Sequence, residues 1–195
     1  KPVILVIHHV HQEIFRIFLQ FPLNVVTALL EGKIMPLVYR NKTVVTVSES
    51  SKKEIIQLGF SSVERIKIVP NGVSDHLFKK ERKTSYPSFI YLGRLKEYKQ
   101  IDVLIRAFAK VVPQHPTAIL SIVGTGESYL SLVGLVKKLQ LGESVRFYER
   151  VTEVEKAQLF GENWIAVQPS RMEGWGITVI EANAAGTPVI ASRVN

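Results

Sequence analysis

The regular alternation of β-branched runs with longer amphipathic segments, from residue 89 to residue 191, constrains the fold of this chain more than any other feature. The β-branched runs predict strands that are buried on both faces, and each segment between them has the length of one helix. Elements in this order form right-handed βαβ crossovers, so we predict a parallel sheet flanked by helices. The predicted strands are 89–92, 118–123, 145–148, 165–167 and 188–191, and the predicted helices are 99–111, 128–140, 154–161 and 176–185.

The preceding part of the chain follows the same scheme less regularly. Ser50 predicts the start of a helix that Gly59 ends, and Pro36 is expected to begin or kink an earlier helical segment. The predicted strands here are 3–8, 43–47 and 66–69, and the other helical segments are 24–30 and 32–40.

A polar, lysine-rich stretch that contains Pro87 separates the two regions. We therefore predict an α/β protein with two domains, at 1–74 and 89–195, joined by an inter-domain connection at 75–88.

The composition favours a globular protein with an anion-binding surface. Of the 195 residues, 46% are hydrophobic and 22% are charged, which is enough apolar material for a buried core. The net charge of +8 favours phosphates, nucleic acid or an anionic lipid surface as partners. The basic residues lie in small scattered clusters without interleaved aromatic residues, which argues against nucleic acid. The apolar runs are too short to span a membrane, no secretory signal is readable and cysteine is absent, so we expect a cytoplasmic protein.

Glycine-rich turns after the predicted strands are candidate ligand sites, because ligands of parallel α/β sheets bind at the carboxyl ends of the strands. After one such strand, Gly93 is followed by Arg94, and Lys99 begins the next predicted helix. Two cations at a strand-to-helix corner can bind both phosphates of a nucleoside diphosphate. Either cation alone would be an ordinary surface residue.

The turn that ends at Gly176 carries a stronger signal. Its two glycines, Gly174 and Gly176, leave the backbone amides of the turn free to converge on an anion in front of a helix amino terminus. Glu173 precedes these glycines and Glu181 lies on the following helix. Because a carboxylate would repel a phosphate, we expect both glutamates to bind ligand hydroxyls. The alternative is that Glu173 only complements the helix macrodipole and Glu181 is a solvated helix residue.

The turn at Gly124 and Gly126 resembles half of a dinucleotide-binding fingerprint. The third glycine of that pattern is absent, because position 129 is tyrosine. We therefore do not expect a nicotinamide cofactor.

Three histidines, His8, His9 and His11, crowd the end of the first predicted strand, where His9 and His11 would share a strand face. No third ligand is nearby in the sequence, so we expect no metal site. The remaining alternatives are a histidine that faces a ligand cleft and a purely structural histidine.

These motifs together resemble the glycosyltransferase group 1 family, whose members are retaining enzymes of the GT-B fold. The segment EGWGITVIEA at 173–182 is similar to the family's pair of glutamates separated by seven residues, and AGTPVIAS at 185–192 resembles its usual continuation. GRL at 93–95 with Lys99, VGTG at 123–126 and VPNGV at 69–73 are further matches in the family's order. The resemblance covers nearly the whole chain and implies two Rossmann-like domains, the first incomplete.

The resemblance also implies roles for individual residues. Arg94 and Lys99 would bind the donor's diphosphate, Glu173 would hold the donor sugar, and Glu181 would bind the ribose. His8 falls where the family often has a histidine that faces the sugar, with His9 as the fallback. The implied catalytic residues are Glu173, His8, Arg94 and Lys99, and the implied donor-binding residues are Gly93, Arg94, Lys99, Gly124, Gly126, Glu173, Gly174, Gly176, Ile177 and Glu181.

The sequence departs from the family at Gln100, where a glycine usually follows the lysine, and at Arg150, where a small residue is more usual. The first departure affects the start of a helix and the second affects base recognition.

The activity that the resemblance implies is transfer of a sugar from a UDP- or GDP-linked donor to an acceptor hydroxyl, with retention and with neither metal nor cofactor. The expected partners are the nucleotide sugar, a glycan or lipid-linked acceptor, and an anionic membrane that the protein contacts peripherally at its inner face, but no nucleic acid. A module that binds a nucleotide sugar without transferring it and an epimerase of the same fold are the alternatives. The resemblance also implies that both ends are truncated relative to the family, so we expect the fragment by itself to be inactive.

Overall fold

The computed structural model describes residues 3–173 and 175–194. Contacts within these ranges divide the chain into two compact units, the first ending at Gly72 and the second beginning at Val73. Each unit contains a parallel β-sheet with helices in the connections between its strands, which confirms the predicted α/β class.

The sheet of the first unit has the order β1-β2-β3, with all neighbouring strands parallel. Its strands are β1 (Ile4–Ile7), β2 (Thr43–Thr46) and β3 (Ile66–Ile68), and its helices are α1 (Gln12–Phe18), α2 (Leu23–Leu29), α3 (Met35–Tyr39) and α4 (Glu49–Gln57). A π-helical turn at Leu30–Ile34 joins α2 to α3, where Pro36 occupies the first turn as predicted. The Ser48 hydroxyl accepts a hydrogen bond from the Ser51 amide at 3.1 Å, so α4 is capped two residues before the predicted start at Ser50.

The prediction that His9 and His11 share a strand face was wrong. Strand β1 ends at Ile7, and His11 is the N-cap residue of α1, a helix that we did not predict. The His11 backbone amide donates to Glu31, and its ring Nδ1 lies 3.2 Å from the same carboxylate. This contact gives His11 a structural role within the first unit.

The sheet of the second unit has the order β6-β5-β4-β7-β8, with all neighbouring strands parallel. Its strands are β4 (Ser88–Leu92), β5 (Ile119–Val123), β6 (Val145–Tyr148), β7 (Ile165–Gln168) and β8 (Val189–Ala191), and its helices are α5 (Ile101–Phe108), α6 (Tyr129–Lys138), α7 (Glu153–Glu162) and α8 (Ile177–Ala184). The predicted strands and helices of this region are present, with bounds that shift by a few residues.

Both faces of the central strand β4 are buried. Tyr91 and Ile90 are adjacent in sequence, and both are fully inaccessible to solvent. Tyr91 belongs to a cluster with residues of α5 and α6, whereas Ile90 belongs to one with residues of α7 and α8. Adjacent strand residues point to opposite faces, so α5 and α6 cover one side of the sheet and α7 and α8 cover the other.

Residues 75–88, the predicted inter-domain connection, lie within the second unit. A 3₁₀ turn at Asp75–Phe78 buries Leu77 in the cluster that contains Ile90. The Lys83 ammonium donates to the Asn163 carbonyl and to the Thr187 hydroxyl, each at 2.6 Å. This stretch is therefore anchored to the second unit by apolar packing and by hydrogen bonds.

Over the described ranges, every helix is too short or too polar to cross a lipid bilayer.

Candidate functional site

The candidate site lies where the strand order of the larger sheet reverses. Strand β4 pairs with β5 on one side and with β7 on the other, so the connections from β4 and β7 leave the sheet in opposite directions. In open parallel sheets, the crevice at the carboxyl ends of two such strands is the usual ligand site. Arg94 and Lys99 follow β4, and Glu173 follows β7, so the topology brings these predicted residues to one crevice.

Lys99 and Glu173 are in direct contact. Lys99 Nζ lies 2.5 Å from Glu173 Oε1, and the two side chains are only 10% and 19% exposed. Lys99 belongs to a 3₁₀ turn at Glu97–Lys99, and its ammonium lies 5.3 Å from the centroid of the Tyr98 ring. The cation is therefore held between an aromatic ring and a carboxylate.

Two further side chains donate to the same oxygen of Glu173. Gln168 Nε2 lies 2.6 Å and Ser170 Oγ 2.7 Å from Glu173 Oε1, and both residues are buried. Burial raises the pKa of the Glu173 carboxyl, but the hydrogen bonds from Lys99, Ser170 and Gln168 outweigh it, so the pKa lies below its ordinary value. Glu173 is thus an oriented and ionised carboxylate at neutral pH.

Arg94 is exposed, in contrast to Lys99. Its Nη2 donates to the Tyr98 hydroxyl at 2.9 Å, and its backbone carbonyl accepts from the buried Tyr91 hydroxyl at 2.9 Å. The Arg171 amide donates to the Tyr98 carbonyl at 2.8 Å, which ties the loop after β7 to the loop after β4. Tyr98 therefore contacts both predicted cations and also joins the two loops.

Gln100 and Gly176 both have left-handed backbone conformations at helix starts. Gln100 has φ 50° and ψ 41° and is the N-cap of α5. Glycine adopts this conformation without steric cost, which is a physical reason for a glycine at the corresponding position in the family. Gly176, with φ 72°, is the N-cap of α8, and Ile177 is the first residue of that helix. The predicted site residue Gly174 lies outside the described residues.

The glycines at the ends of β4 and β5 have a packing function. A Cβ on Gly124 would overlap the Gly93 carbonyl oxygen, and a Cβ on Gly126 would overlap the Leu95 carbonyl oxygen. The Gly93 amide also donates to the Val123 carbonyl at 3.0 Å. These glycines let the loops after β4 and β5 pack backbone against backbone, whether or not a ligand also contacts them.

Glu181 lies on α8 and pairs with a residue of α7. Lys156 Nζ is 2.7 Å from Glu181 Oε1, and both side chains are 13% exposed. The same ammonium is 2.7 Å from Glu153 Oε2. Glu181 is therefore not the fully solvated helix residue of the alternative interpretation.

His8 belongs to the first unit, whereas the other candidate site residues belong to the second. It is exposed and follows β1 directly, and its carbonyl accepts from the Ser51 hydroxyl at 3.3 Å. Among the residues that the structure describes, no group of three or more histidine, aspartate or glutamate side chains could hold a metal ion.

Sequence reasoning missed Gln168, Ser170, Tyr98 and Lys156. Gln168 and Ser170 could have been found, because polar residues at the end of a buried strand precede Glu173 by only five and three positions. Lys156 gave no such signal, because it is 25 residues from Glu181 and looks like an ordinary helix residue.

Comparison with known sequences finds one matching protein family and related glycosyltransferases. The family model described as "Glycosyl transferases group 1" matches residues 73–195. An uncharacterised glycosyltransferase of Methanocaldococcus jannaschii is 31% identical over an alignment of 170 residues, and the match covers 80% of this chain and 43% of that protein. The glycogen synthase of Mycobacterium tuberculosis is 28% identical over an alignment of 161 residues, and the match covers 81% of this chain and 39% of the relative. The chain spans less than half the length of these two relatives.

Solved structures with the same fold include sucrose-phosphate synthase from Thermosynechococcus elongatus, with a TM-score of 0.80, 24% identity and coverage of 98% of this chain and 50% of that chain. HepE of Anabaena in complex with UDP-glucose has a TM-score of 0.78 and 21% identity, and the match covers 100% of this chain and 54% of that chain. These similarities confirm the predicted architecture of parallel, helix-flanked sheets in two Rossmann-like domains of the GT-B type.

Proposed function

Because the chain belongs to the group 1 glycosyltransferase family, we propose that it binds a nucleotide diphosphate sugar and serves a retaining transfer of that sugar to an acceptor hydroxyl. The observation that carries this proposal is the contact at 2.5 Å between Lys99 and Glu173, which come from the two loops on either side of the strand-order reversal. It joins a cation suited to phosphate and a carboxylate suited to sugar hydroxyls in one crevice.

The donor's diphosphate would lie against Arg94 and Lys99, with the amino terminus of α8 near Gly176 and Ile177 as a further source of positive potential. These groups would stabilise the negative charge that develops as the diphosphate leaves, a task that a divalent ion performs in other enzymes. The solved HepE complex, which holds UDP-glucose, supports a donor of this chemical class.

Glu173 would bind hydroxyls of the donor sugar. Its Oε1 already accepts from Lys99, Ser170 and Gln168, so the direction of its other oxygen is fixed before a ligand arrives. Such preorganisation favours catalysis, because no reorientation is needed during the reaction. Glu181 would bind the ribose hydroxyls from α8.

In the proposed reaction, the acceptor oxygen bonds to the anomeric carbon while the bond from that carbon to the diphosphate oxygen breaks. The acceptor proton passes to the departing diphosphate. The chain's own residues would bind and orient the donor and stabilise the leaving group, without acting as a base.

The end of β7 and the loop that follows it also contain polar atoms whose burial has a cost. Gln168 Oε1 and Trp175 Nε1 are buried without a hydrogen-bond partner among the described residues. Each such atom costs about 1–3 kcal/mol, which a loop selected only for stability would avoid.

The binding test is a titration of the protein with UDP and GDP by calorimetry. Arg94→Ala should weaken the binding of the preferred nucleotide by about 1.5–3 kcal/mol, as expected for a charge-assisted contact. Arg146→Ala removes an exposed arginine on the edge strand β6 and is the matched control. Equal affinities of the wild type and Arg94→Ala would refute the assignment of the phosphate site.

Transfer is tested separately, by incubating the protein with nucleotide sugars and acceptor extracts and by determining the anomeric configuration of any product by NMR. A product with the donor's configuration supports the proposal. Nucleotide binding without transfer to any acceptor supports the binding-module alternative, and a change in the nucleotide sugar alone supports the epimerase.

A further inference from the structure

The contact between Lys156 and Glu181 has the geometry of a positioning interaction. Glu181 lies in the second turn of α8, and Lys156 reaches it from the first turn of α7. The distance of 2.7 Å joins the ammonium to one oxygen only, Oε1. For the other oxygen, Oε2, the structure records no hydrogen bond from any residue that it describes.

Lys156 is itself fixed by a second carboxylate. Glu153, three residues earlier on α7, contacts the same ammonium at 2.7 Å and is 63% exposed. Burial lowers the pKa of Lys156, but hydrogen bonds to Glu153 and Glu181 outweigh this effect and raise the pKa above its ordinary value. The lysine therefore stays charged, and its ammonium is held in place from the side of its own helix.

An oriented carboxylate is what recognition of a vicinal diol requires. A carboxylate that is mostly buried and unpaired would be free to rotate, and this would weaken its acceptance of hydroxyl protons. An ammonium that holds one oxygen prevents the rotation.

From this geometry we infer that Lys156 is a positioning residue for Glu181 and sets the preference of the site for ribose over sugars that lack the 2′- and 3′-hydroxyls. The inference rests on the proposed function, because it assumes that Glu181 binds the ribose. The competing interpretation is that the pair only fastens α7 to α8, and that interpretation predicts no effect on ribose selectivity.

The experiment measures the ratio of the dissociation constants of 2′,3′-dideoxy-UDP and UDP by calorimetry, and the same ratio for the GDP pair. Lys156→Met retains the chain length and removes the ammonium. It should lower the ratio for the preferred base by roughly fivefold or more, since a charge-assisted hydrogen bond is worth about tenfold or more in affinity. Lys156→Arg should retain most of the ratio.

Glu153→Gln is the matched control, because it removes the negative charge of the exposed partner of Lys156, keeps an amide oxygen that can still accept from the ammonium, and leaves the contact with Glu181. We expect it to keep a ratio near that of the wild type. Thermal unfolding of each variant separates loss of selectivity from loss of fold. If Lys156→Met does not fold, Lys156→Gln replaces it, and a wild-type ratio in that variant overturns the inference.

Glu181→Gln distinguishes the two levels of the argument. If it lowers the ratio and folded Lys156→Met does not, the inference about Lys156 is wrong and the proposed ribose site stands. If Glu181→Gln itself leaves the ratio unchanged, the ribose assignment is wrong and the inference is wrong with it. Absence of binding of either nucleotide to the wild type would overturn both.

Discussion

Replacement of Lys99 by methionine tests the ion pair on which the candidate site depends. Methionine retains the apolar stem of the side chain and removes the ammonium, so Glu173 loses its charged partner. Removal of one partner of a buried ion pair costs about 3–5 kcal/mol. The Glu173 side chain is 19% exposed and keeps its hydrogen bonds from Ser170 and Gln168, which lowers the expected loss to about 2–3 kcal/mol.

Urea unfolding followed by tryptophan fluorescence measures this loss of stability in the second structural unit. Both tryptophans, Trp164 and Trp175, lie in the second unit, so the signal reports on that unit alone. For a unit of this size the dependence on urea is about 2 kcal/mol per molar, so the midpoint should fall by about 1–1.5 M.

The double variant Lys99→Met with Glu173→Gln is the internal control. It replaces both charges by neutral groups, so it should be more stable than the sum of the single losses predicts, by about 1–2 kcal/mol. A midpoint of Lys99→Met within the error of the wild type, or strict additivity in the double variant, would show that the contact does not stabilise the folded unit.

Three further outcomes follow from the structure. The pKa of Glu173 is lowered in the folded state, so the ionised carboxylate stabilises the fold above the ordinary carboxyl pKa. This contribution is lost as the pH falls through the lowered pKa. The difference in melting temperature between the wild type and Glu173→Gln should therefore shrink from neutral pH to about pH 3. Gly124→Ala places a Cβ against the Gly93 carbonyl at a residue with positive φ, and it should lower the free energy of unfolding by more than about 2 kcal/mol. Gly134→Ala, where a Cβ meets open space within α6, should raise the free energy of unfolding by about 0.5–1 kcal/mol in the same urea assay. Thr152→Ala removes the capping box of α7 and should lower the stability by about 1 kcal/mol, measured by the same tryptophan signal.

The larger sheet could be predicted from the sequence because its signals are local. A strand buried on both faces is a continuous apolar run in the sequence, and the prediction of 145–148 coincides with β6. The same reasoning placed Lys99 at the start of the helix after β4 and Glu173 in the loop after β7, both at the carboxyl edge of the sheet. The direct contact between Lys99 and Glu173 could not be predicted in this way, because tertiary packing decides which strands are neighbours.

Where the prediction was wrong or incomplete, the deciding contacts are distant in sequence. The predicted helix 99–111 is interrupted at Gln100, which has φ 50° and ψ 41°, a left-handed conformation that non-glycine residues rarely adopt. Helix α1 was missed because His9 and His11, beyond the predicted strand 3–8, were expected to share a strand face. The first residue of this helix contacts the carbonyl of Ala28, sixteen residues later. Such pairings leave no periodic pattern in the sequence.

The two predicted phosphate ligands are not equivalent in the structure, and this bears on how their substitution is interpreted. Lys99 is buried and already neutralised by Glu173, whereas Arg94 is exposed and contacts the Tyr98 hydroxyl rather than a carboxylate within the described ranges. An incoming diphosphate would therefore meet the uncompensated charge of Arg94 first, and it would have to share Lys99 with Glu173. Substitution of Arg94 should then weaken nucleotide binding with little loss of stability, while substitution of Lys99 should affect both. Binding data on Lys99 variants thus test the phosphate site only when the urea midpoint is measured beside them.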